Sequence, residues 1–344
     1  MRIGTAKSKR TLARRSYAAG LFDLEERLVK LSLLGDPLEG LKALIDWEAF
    51  RPQIDAARRK QRKSAAGAKP FDAILMFRLL ILQQLHKLSD ERLKYQIRDR
   101  LSFLRFLGLN FKDRVPDAKT VWLFLETLKA GDVGKKLFAC FEAQLAAHGL
   151  KAQGGQMIDA TFVEVPKQRN SREQNATIKA GGIPDAWQRD DPATVNPRRQ
   201  KNTDARWAKK GDETQYGYKN HINADAKHKL IRAFEVTGAQ VHDSKVFDPQ
   251  IDHTLDEHVT KRAVTADSAY RSVEREAAVK QAKFESRICE KGAGNAPLTE
   301  AQKASNHEKS IVRCRVEHIF GAQAQMGVLS CARLAWPAPP SRLR

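Results

Sequence analysis

Cysteine is scarce in this sequence, and the few cysteines present lack the spacing of a metal site. There are four in 344 residues, at positions 140, 289, 314 and 331, and none belongs to a Cys-x-x-Cys pair. This distribution argues against a zinc site and against a disulfide framework, and it fits a reducing cytosol.

Long hydrophobic runs are also missing. The most apolar segment, residues 71–88, is interrupted by Asp72, Arg78 and Lys87. It therefore falls short of the roughly 20 apolar residues that a membrane-spanning helix needs. The first 20 residues are basic but have no apolar core, which excludes a secretory signal peptide. We therefore expect a cytoplasmic protein with no membrane partner.

Acidic residues are few relative to basic ones, since 41 Asp and Glu stand against 61 Lys and Arg, a net charge of +20. Residues 1–20 contain six basic side chains and no acid, and further basic runs occupy residues 58–69 and 166–210. An excess of positive charge of this size causes electrostatic repulsion within a folded chain, and a polyanionic partner is its usual explanation. The charge pattern therefore indicates nucleic-acid binding, with solubility or a ribosomal-type tail as the alternatives.

The first half of the chain has a helical pattern. Residues 1–68 are predicted to form a basic, weakly structured arm with one or two short helices. In residues 69–150, apolar side chains recur at helical spacing, for example at Leu93 and Ile97, and Asp117 is placed to cap a helix. Three or four packed helices flanked by arginines suit a DNA-binding unit of the helix-turn-helix kind, although the same periodicity is compatible with a plain helical bundle.

The second half changes to strand-like patterns. Residues 156–165 alternate at period two, with one face formed by Met157, Asp159, Thr161, Val163 and Val165. A polar stretch at 166–212 is predicted to be a loop or insertion. Further strands are predicted within 216–242, 262–270 and 283–289, with helices at 271–282 and 299–325. This order predicts an α/β domain over residues 151–325 with a ribonuclease-H-like mixed sheet, preceded by the all-α region.

Three acids of this second half can meet at one point. Asp159 lies in the first strand, Asp267 ends a later strand, and Glu317 lies on the last helix. In a mixed sheet of this topology the first and fourth strands are neighbours and the final helix packs beside them. Carboxylates are the hard ligands that Mg²⁺ prefers, and two such ions suit phosphodiester chemistry.

Each acid also has an ordinary alternative role. Asp159 could be a strand-edge residue, Asp267 could cap the helix that starts near Arg271, and Glu317 could pair with Arg313 one turn earlier on a helix. Taken singly, none of these three acids defines a metal site.

Seven motifs along residues 69–325 are specific when taken together. They are SDERL, LSFLRFLGL, VPDAKTV, MIDATFVEVPKQRN, YGYKNHINADAKHKLIRAFEVTGAQVHDSKVF, TADSAYRS and RCRVEHIFG. The chain that carries them resembles the DDE transposases of bacterial insertion sequences, in particular the IS-five group. Matched residue by residue, the resemblance implies that Asp159, Asp267 and Glu317 are catalytic and hold the metal. It implies that Arg313 contacts DNA phosphate or orients Glu317.

The resemblance also implies an activity and its partners. It implies a transposase that uses two Mg²⁺ ions, with Mn²⁺ as a substitute, to cleave DNA at the transposon ends and then transfer the strand. Double-stranded DNA, as terminal inverted repeats and as target, is the implied partner. A homo-oligomer on DNA and a bacterial cytoplasmic, nucleoid-associated location follow as further expectations.

The C-terminal side departs from the family pattern. Ser310 stands where the family has a tyrosine, and Ala324 stands where it has a lysine. Residues 326–344 include WPAPPSRLR, whose prolines cannot continue a helix, and we expect a truncated or frameshifted tail. Two alternatives follow: an impaired transposase that only binds DNA, and a nuclease of the same fold that cuts without joining.

Overall fold

The computed structural model describes residues 20, 22–59, 69–150, 154–188, 204–252, 262–292 and 296–327. The basic runs at 1–19 and 60–68, part of the predicted insertion at 189–203, and the predicted tail beyond residue 327 lie outside these described residues. The described chain has a helical first half and a second half built on a sheet.

Short polar side chains begin several helices of the first half. Asp36, Asp72, Ser89 and Asp117 each accept a hydrogen bond from a backbone N–H of the first turn. The helices are α1 (Asp23–Leu33), α2 (Pro37–Leu44), α3 (Arg51–Arg58), α4 (Ala73–Leu85), α5 (Asp90–Asp99), α6 (Leu101–Leu107), α7 (Ala118–Ala130) and α8 (Gly134–Ala147).

The helical half packs around one hydrophobic core, and that core includes residues from before residue 68. Leu38, Trp47, Phe50 and Ile54 are buried together with the apolar faces of α4 to α8. The Trp47 ring stands edge-on to the Phe106 ring, with centroids 5.6 Å apart. The structure therefore differs from the weakly structured arm predicted for residues 1–68. The apolar residues of α2 and α3 lie on short helices, which show too little periodicity for a sequence pattern to mark them as core.

Replacing Ile54 with Ala is expected to destabilise the helical half by about 2–5 kcal/mol. Ile54 is fully buried, so truncation removes apolar contacts and leaves a cavity. Urea unfolding measures the change, and Leu44→Ala is the control because Leu44 is half exposed on the neighbouring α2. Equal losses in the two variants would contradict the assignment of α3 to this core.

The second half contains a six-stranded mixed sheet. Its strands are β1 (Gln156–Glu164), β2 (Arg206–Lys210), β3 (Glu213–Asp225), β4 (Ile231–Gly238), β5 (Ala263–Ala266) and β6 (Glu285–Ile288). β1 pairs antiparallel with β3 and parallel with β5, β6 extends the parallel part, and β2 and β4 pair antiparallel with β3. The neighbouring positions of β1 and β5 are those that the sequence predicts.

The two faces of the sheet are covered by different helices, because side chains alternate along β1. Met157 packs with Ile222 of β3 and with Val316 and Phe320 of the last helix. Ile158 points to the other face and packs with residues that include Val279 of the helix between β5 and β6. The remaining helices are α9 (Arg172–Lys179), α10 (Asp185–Gln188), α11 (Phe247–Gln250), α12 (Val273–Gln281), α13 (Glu300–Arg313) and α14 (Arg315–Gln325).

Residues 166–212 are more ordered in part than the loop or insertion that the sequence predicts. α9 begins with a capping box, in which Ser171 and Gln174 satisfy each other's backbone N–H groups. Arg206 of β2 donates to the carbonyl of Ile178 at 3.0 Å and ties this helix to the sheet. The polar composition hid the helix, because its stability comes from the cap and this tertiary contact rather than from an apolar face.

The final helix, predicted as one element over 299–325, is interrupted at Cys314. α13 ends at Arg313, α14 begins at Arg315, and the N–H of Glu317 bonds to the carbonyl of Cys314 at 3.2 Å instead of one residue further back. Neither glycine nor proline lies at this break, so the sequence gives no sign of it.

Candidate active site

Asp159 lies in β1, and Asp267 directly follows the neighbouring parallel strand β5. Ile158 of β1 pairs with Ala266 of β5, so the next residue of each chain segment is one of the two acids. Asp159 has the same orientation as Met157, two residues earlier, and therefore lies on the face that α14 covers.

Asp267 also has a local structural role, but it is not the one considered as its alternative. Its Oδ1 accepts a hydrogen bond from the Ser268 N–H at 2.6 Å and begins the 3₁₀ turn Ser268–Tyr270. The cap of α12 is instead Ser272, which accepts from the N–H of Arg275. Asp267 therefore lies just beyond the carboxyl end of β5, where strand pairing has stopped and side chains from adjacent elements can converge.

Asp159 is a largely buried acid whose charge is poorly compensated. Its side chain is 15% exposed, its Oδ2 lies 3.3 Å from Nη1 of Arg313, and its Oδ1 accepts from the Ala160 N–H at 2.8 Å. Burial raises the pKa of Asp159 from 3.8 to about 6. The Ala160 hydrogen bond and Arg313 lower this pKa, whereas the negative charges of Asp267 and Glu317 raise it.

Glu317 is an exposed residue in the first turn of α14. Its neighbour Val316 is fully buried against the Met157 face of the sheet, which fixes the start of this helix beside β1. The negative charge of Glu317 makes a small contribution to the raised pKa of Asp159. Arg313 forms its ion pair with Asp159, not the pair with Glu317 considered from the sequence.

The three acids have the chemistry of a divalent-metal site, although Arg313 contacts one of them. Their donors are carboxylate oxygens, which Mg²⁺ and Mn²⁺ prefer. Burial is the main cause of the raised pKa of Asp159, and the charges of Asp267 and Glu317 add to it. Within the described part of the chain, no set of three His, Cys, Asp or Glu side chains is arranged to hold an ion directly. The residue types fit a metal, but the side chains must shift to bind it.

A buried polar group behind the acids was not singled out from the sequence. His221 of β3 is almost fully buried, bonds to Thr237 Oγ1 at 2.9 Å, and has its pKa lowered to about 4 by burial. Lys219 of the same strand pairs with Asp243 at 2.8 Å. Lys219 and His221 fall within the motif GYKNH, which carried the family resemblance but suggested no role for them.

The hydroxyl of Tyr270 is buried near the acids and makes no hydrogen bond. Its ring packs against Phe247, and burial raises the pKa of the hydroxyl, with the charge of Asp159 adding to that effect. Tyr270 follows Asp267 in the motif TADSAY, so its position three residues after a candidate ligand was the available signal.

A helical first half followed by a mixed parallel and antiparallel sheet is the architecture of a ribonuclease-H-like enzyme with an added helical region. The model of the Transposase DDE domain family matches residues 151–334, and the chain belongs to this family. The Transposase domain (DUF772) family matches residues 26–127, within the helical half. No solved structure matches the chain.

Membership of this family establishes the activity class. The chain is an insertion-sequence DDE transposase, an enzyme that cleaves DNA and transfers the cut strand with the help of divalent metal ions. The predicted ribonuclease-H-like fold and the predicted transposase function are both confirmed. Separately, none of the helices among the described residues is both long and apolar enough to cross a bilayer.

Proposed function

We propose that Asp159, Asp267 and Glu317 are the catalytic acids of this transposase and that they hold two Mg²⁺ ions, with Mn²⁺ as a substitute. The observation that carries the proposal is the register of β1 against β5, which brings Asp159 and Asp267 together across 108 residues of sequence. The position of Glu317 in the first turn of α14, whose Val316 packs on the same face of the sheet as Met157, supports the inclusion of Glu317.

The metal ions would supply activation of the attacking oxygen and neutralisation of charge on the phosphate. The chain's own residues set the conditions for this chemistry. The Asp159 side chain is only 15% exposed, which limits its contact with water, and the backbone N–H of Ser268 orients Asp267. Arg313, which forms an ion pair with Asp159, would contact a DNA phosphate if a bound metal ion replaced it as the partner of Asp159.

We also propose the DNA substrates, the assembly, the DNA-binding domain and the cellular location of this transposase. Terminal inverted repeats and target DNA are the proposed substrates, and a homo-oligomer on DNA is the proposed assembly. The helical half, with α2 and α3 included, is the proposed DNA-binding domain, preceding the catalytic domain that starts near residue 151. The motifs support the IS-five group, and a DNA substrate supports a cytoplasmic, nucleoid-associated location.

Glu317→Gln is expected to weaken Mn²⁺ binding by at least tenfold. The change keeps the size of the side chain and removes one of the charges that attract the ion. Isothermal titration of the full chain with Mn²⁺ measures the affinity without reference to catalysis. Glu308→Gln is the matched control, because Glu308 is an exposed glutamate on the preceding helix α13.

Wild-type Mn²⁺ affinity in the Glu317→Gln variant would remove Glu317 from the proposed site. A loss of the same size in Glu308→Gln would show that the general charge of this helix pair, rather than a specific ligand, attracts the ion.

A further inference from the structure

An exposed aromatic pair lies on the hairpin formed by β2 and β3. Trp207 and Tyr216 are directly opposite each other in the strand register, and their ring centroids are 5.1 Å apart. Trp207 is 50% exposed, which is unusual for the largest apolar side chain. Nζ of Lys167, which follows β1, lies 5.2 Å from the centre of the Trp207 ring.

The pair lies on the same face of the sheet as the candidate catalytic acids. Asp159 is opposite Ile222 of β3, and Tyr216 lies six residues away along β3, an even number that keeps the side-chain direction. At about 3.3 Å per residue, this separation is about 20 Å along the strand. A DNA strand whose phosphate is held at the acids can therefore reach Trp207 about six nucleotides away, at roughly 3.4 Å per nucleotide.

The aromatic pair rests on a rigid base. Beneath it, Val163, Val165, Ala205 and Tyr218 form a small buried cluster against which Tyr216 packs. A ring held in this way loses little conformational freedom when a second flat group stacks on it. The exposed Trp207 ring is therefore preorganised for stacking.

The charge around the pair favours a nucleic-acid strand over a protein partner. Lys167 contacts Trp207, and Lys209 is exposed on the same strand and face two residues further on. Aromatic rings interleaved with cations are the usual platform for unpaired nucleotides, because every base has a flat face and every nucleotide a phosphate. We propose that Trp207, supported by Tyr216 and flanked by Lys167, stacks on an unpaired base of the DNA that this transposase handles.

This proposal rests on the transposase function in one respect, the choice of DNA as the nucleic acid that is bound. It does not depend on which acids hold metal. It also selects unpaired over duplex DNA. In a duplex the base faces are covered by their neighbours, and only phosphates and groove edges are accessible to a ring of this kind.

The test compares binding of a twelve-residue oligothymidine with binding of a twelve-base-pair blunt duplex. Trp207→Ala is expected to weaken oligothymidine binding about tenfold and to leave duplex binding unchanged, whereas Trp207→Phe retains most of the affinity. Fluorescence anisotropy of the labelled DNA gives the affinities. Val273→Ala, which truncates an exposed apolar side chain on α12 of the catalytic half, is the control and should change neither affinity.

Oligothymidine affinity that is unchanged in Trp207→Ala, or that falls equally for oligothymidine and duplex, would overturn the proposal. So would a smaller oligomer of Trp207→Ala in sedimentation without DNA, since the pair would then be an interface between copies of the chain. Trp207→Ala should bind Mn²⁺ as the wild type does, so failure at the acids and failure at Trp207 are distinguishable.

Discussion

Asp267→Asn is expected to lower the rate of DNA cleavage about a thousandfold or more while leaving DNA affinity within about twofold. Asparagine has the size of aspartate, and its Oδ1 can still accept the bond from Ser268, so the 3₁₀ turn should survive. The lost charge is what metal binding requires, and a thousandfold loss corresponds to about 4 kcal/mol in the activation free energy.

The measurement is cleavage and joining of a plasmid that carries the element's own ends, with Mg²⁺ present. Asp248→Asn is the control, because Asp248 is an exposed aspartate of the same half, on α11. Cleavage by Asp267→Asn at a rate near that of the wild type would remove Asp267 from the active site. Loss of DNA binding together with cleavage would assign it a structural role instead.

Asp159→Asn is expected to stabilise the metal-free protein at neutral pH by about 1–3 kcal/mol. The pKa of Asp159 is about 6 in the folded chain, against an ordinary value of 3.8. The folded state therefore binds this proton more tightly than the unfolded state does. The stability that the protonated acid contributes is fully present below about pH 4 and is lost as the pH rises through 6. Asparagine is neutral throughout and avoids that loss.

Urea unfolding between pH 4 and pH 8 in the presence of a chelator measures this effect. The advantage of Asp159→Asn should be smallest near pH 4, grow up to about pH 6 and stay level above it. Adding Mg²⁺ should then stabilise the wild type more than the variant, since only the wild type keeps the full set of charges. A stability difference that does not change with pH would contradict the buried, poorly compensated charge inferred for Asp159.

Sequence patterns predicted the catalytic half well because its strands obey simple rules. β1 alternates at period two, and β5 is a short apolar run that ends in an acid. The order of strands and helices is compatible with few sheet topologies. The family motifs indicate the one in which the strands of Asp159 and Asp267 are neighbours. Their proximity is a consequence of topology, which explains how positions so far apart in sequence could be paired in advance.

Features that depend on tertiary contacts could not be predicted in the same way. The break at Cys314 has no local signal, and it separates Arg313 and Glu317 into different helices although they are only four residues apart. The pairing of Arg313 with Asp159 depends on that break and on the depth at which α14 packs. The inclusion of α2 and α3 in the helical core likewise depends on a few large side chains, such as Trp47 and Ile54, rather than on a periodic pattern.

The late position of Glu317 in the chain has a consequence for protein synthesis. Domains generally fold as units in the order in which the ribosome releases them, at about 5–20 residues per second. Glu317 lies 167 residues after residue 150, a stretch that takes roughly 10 to 30 s to make. A nascent chain therefore completes its helical core well before the proposed third catalytic acid is made. If the helical half binds DNA as proposed, the nascent chain would meet DNA close to its own messenger before it is able to cut.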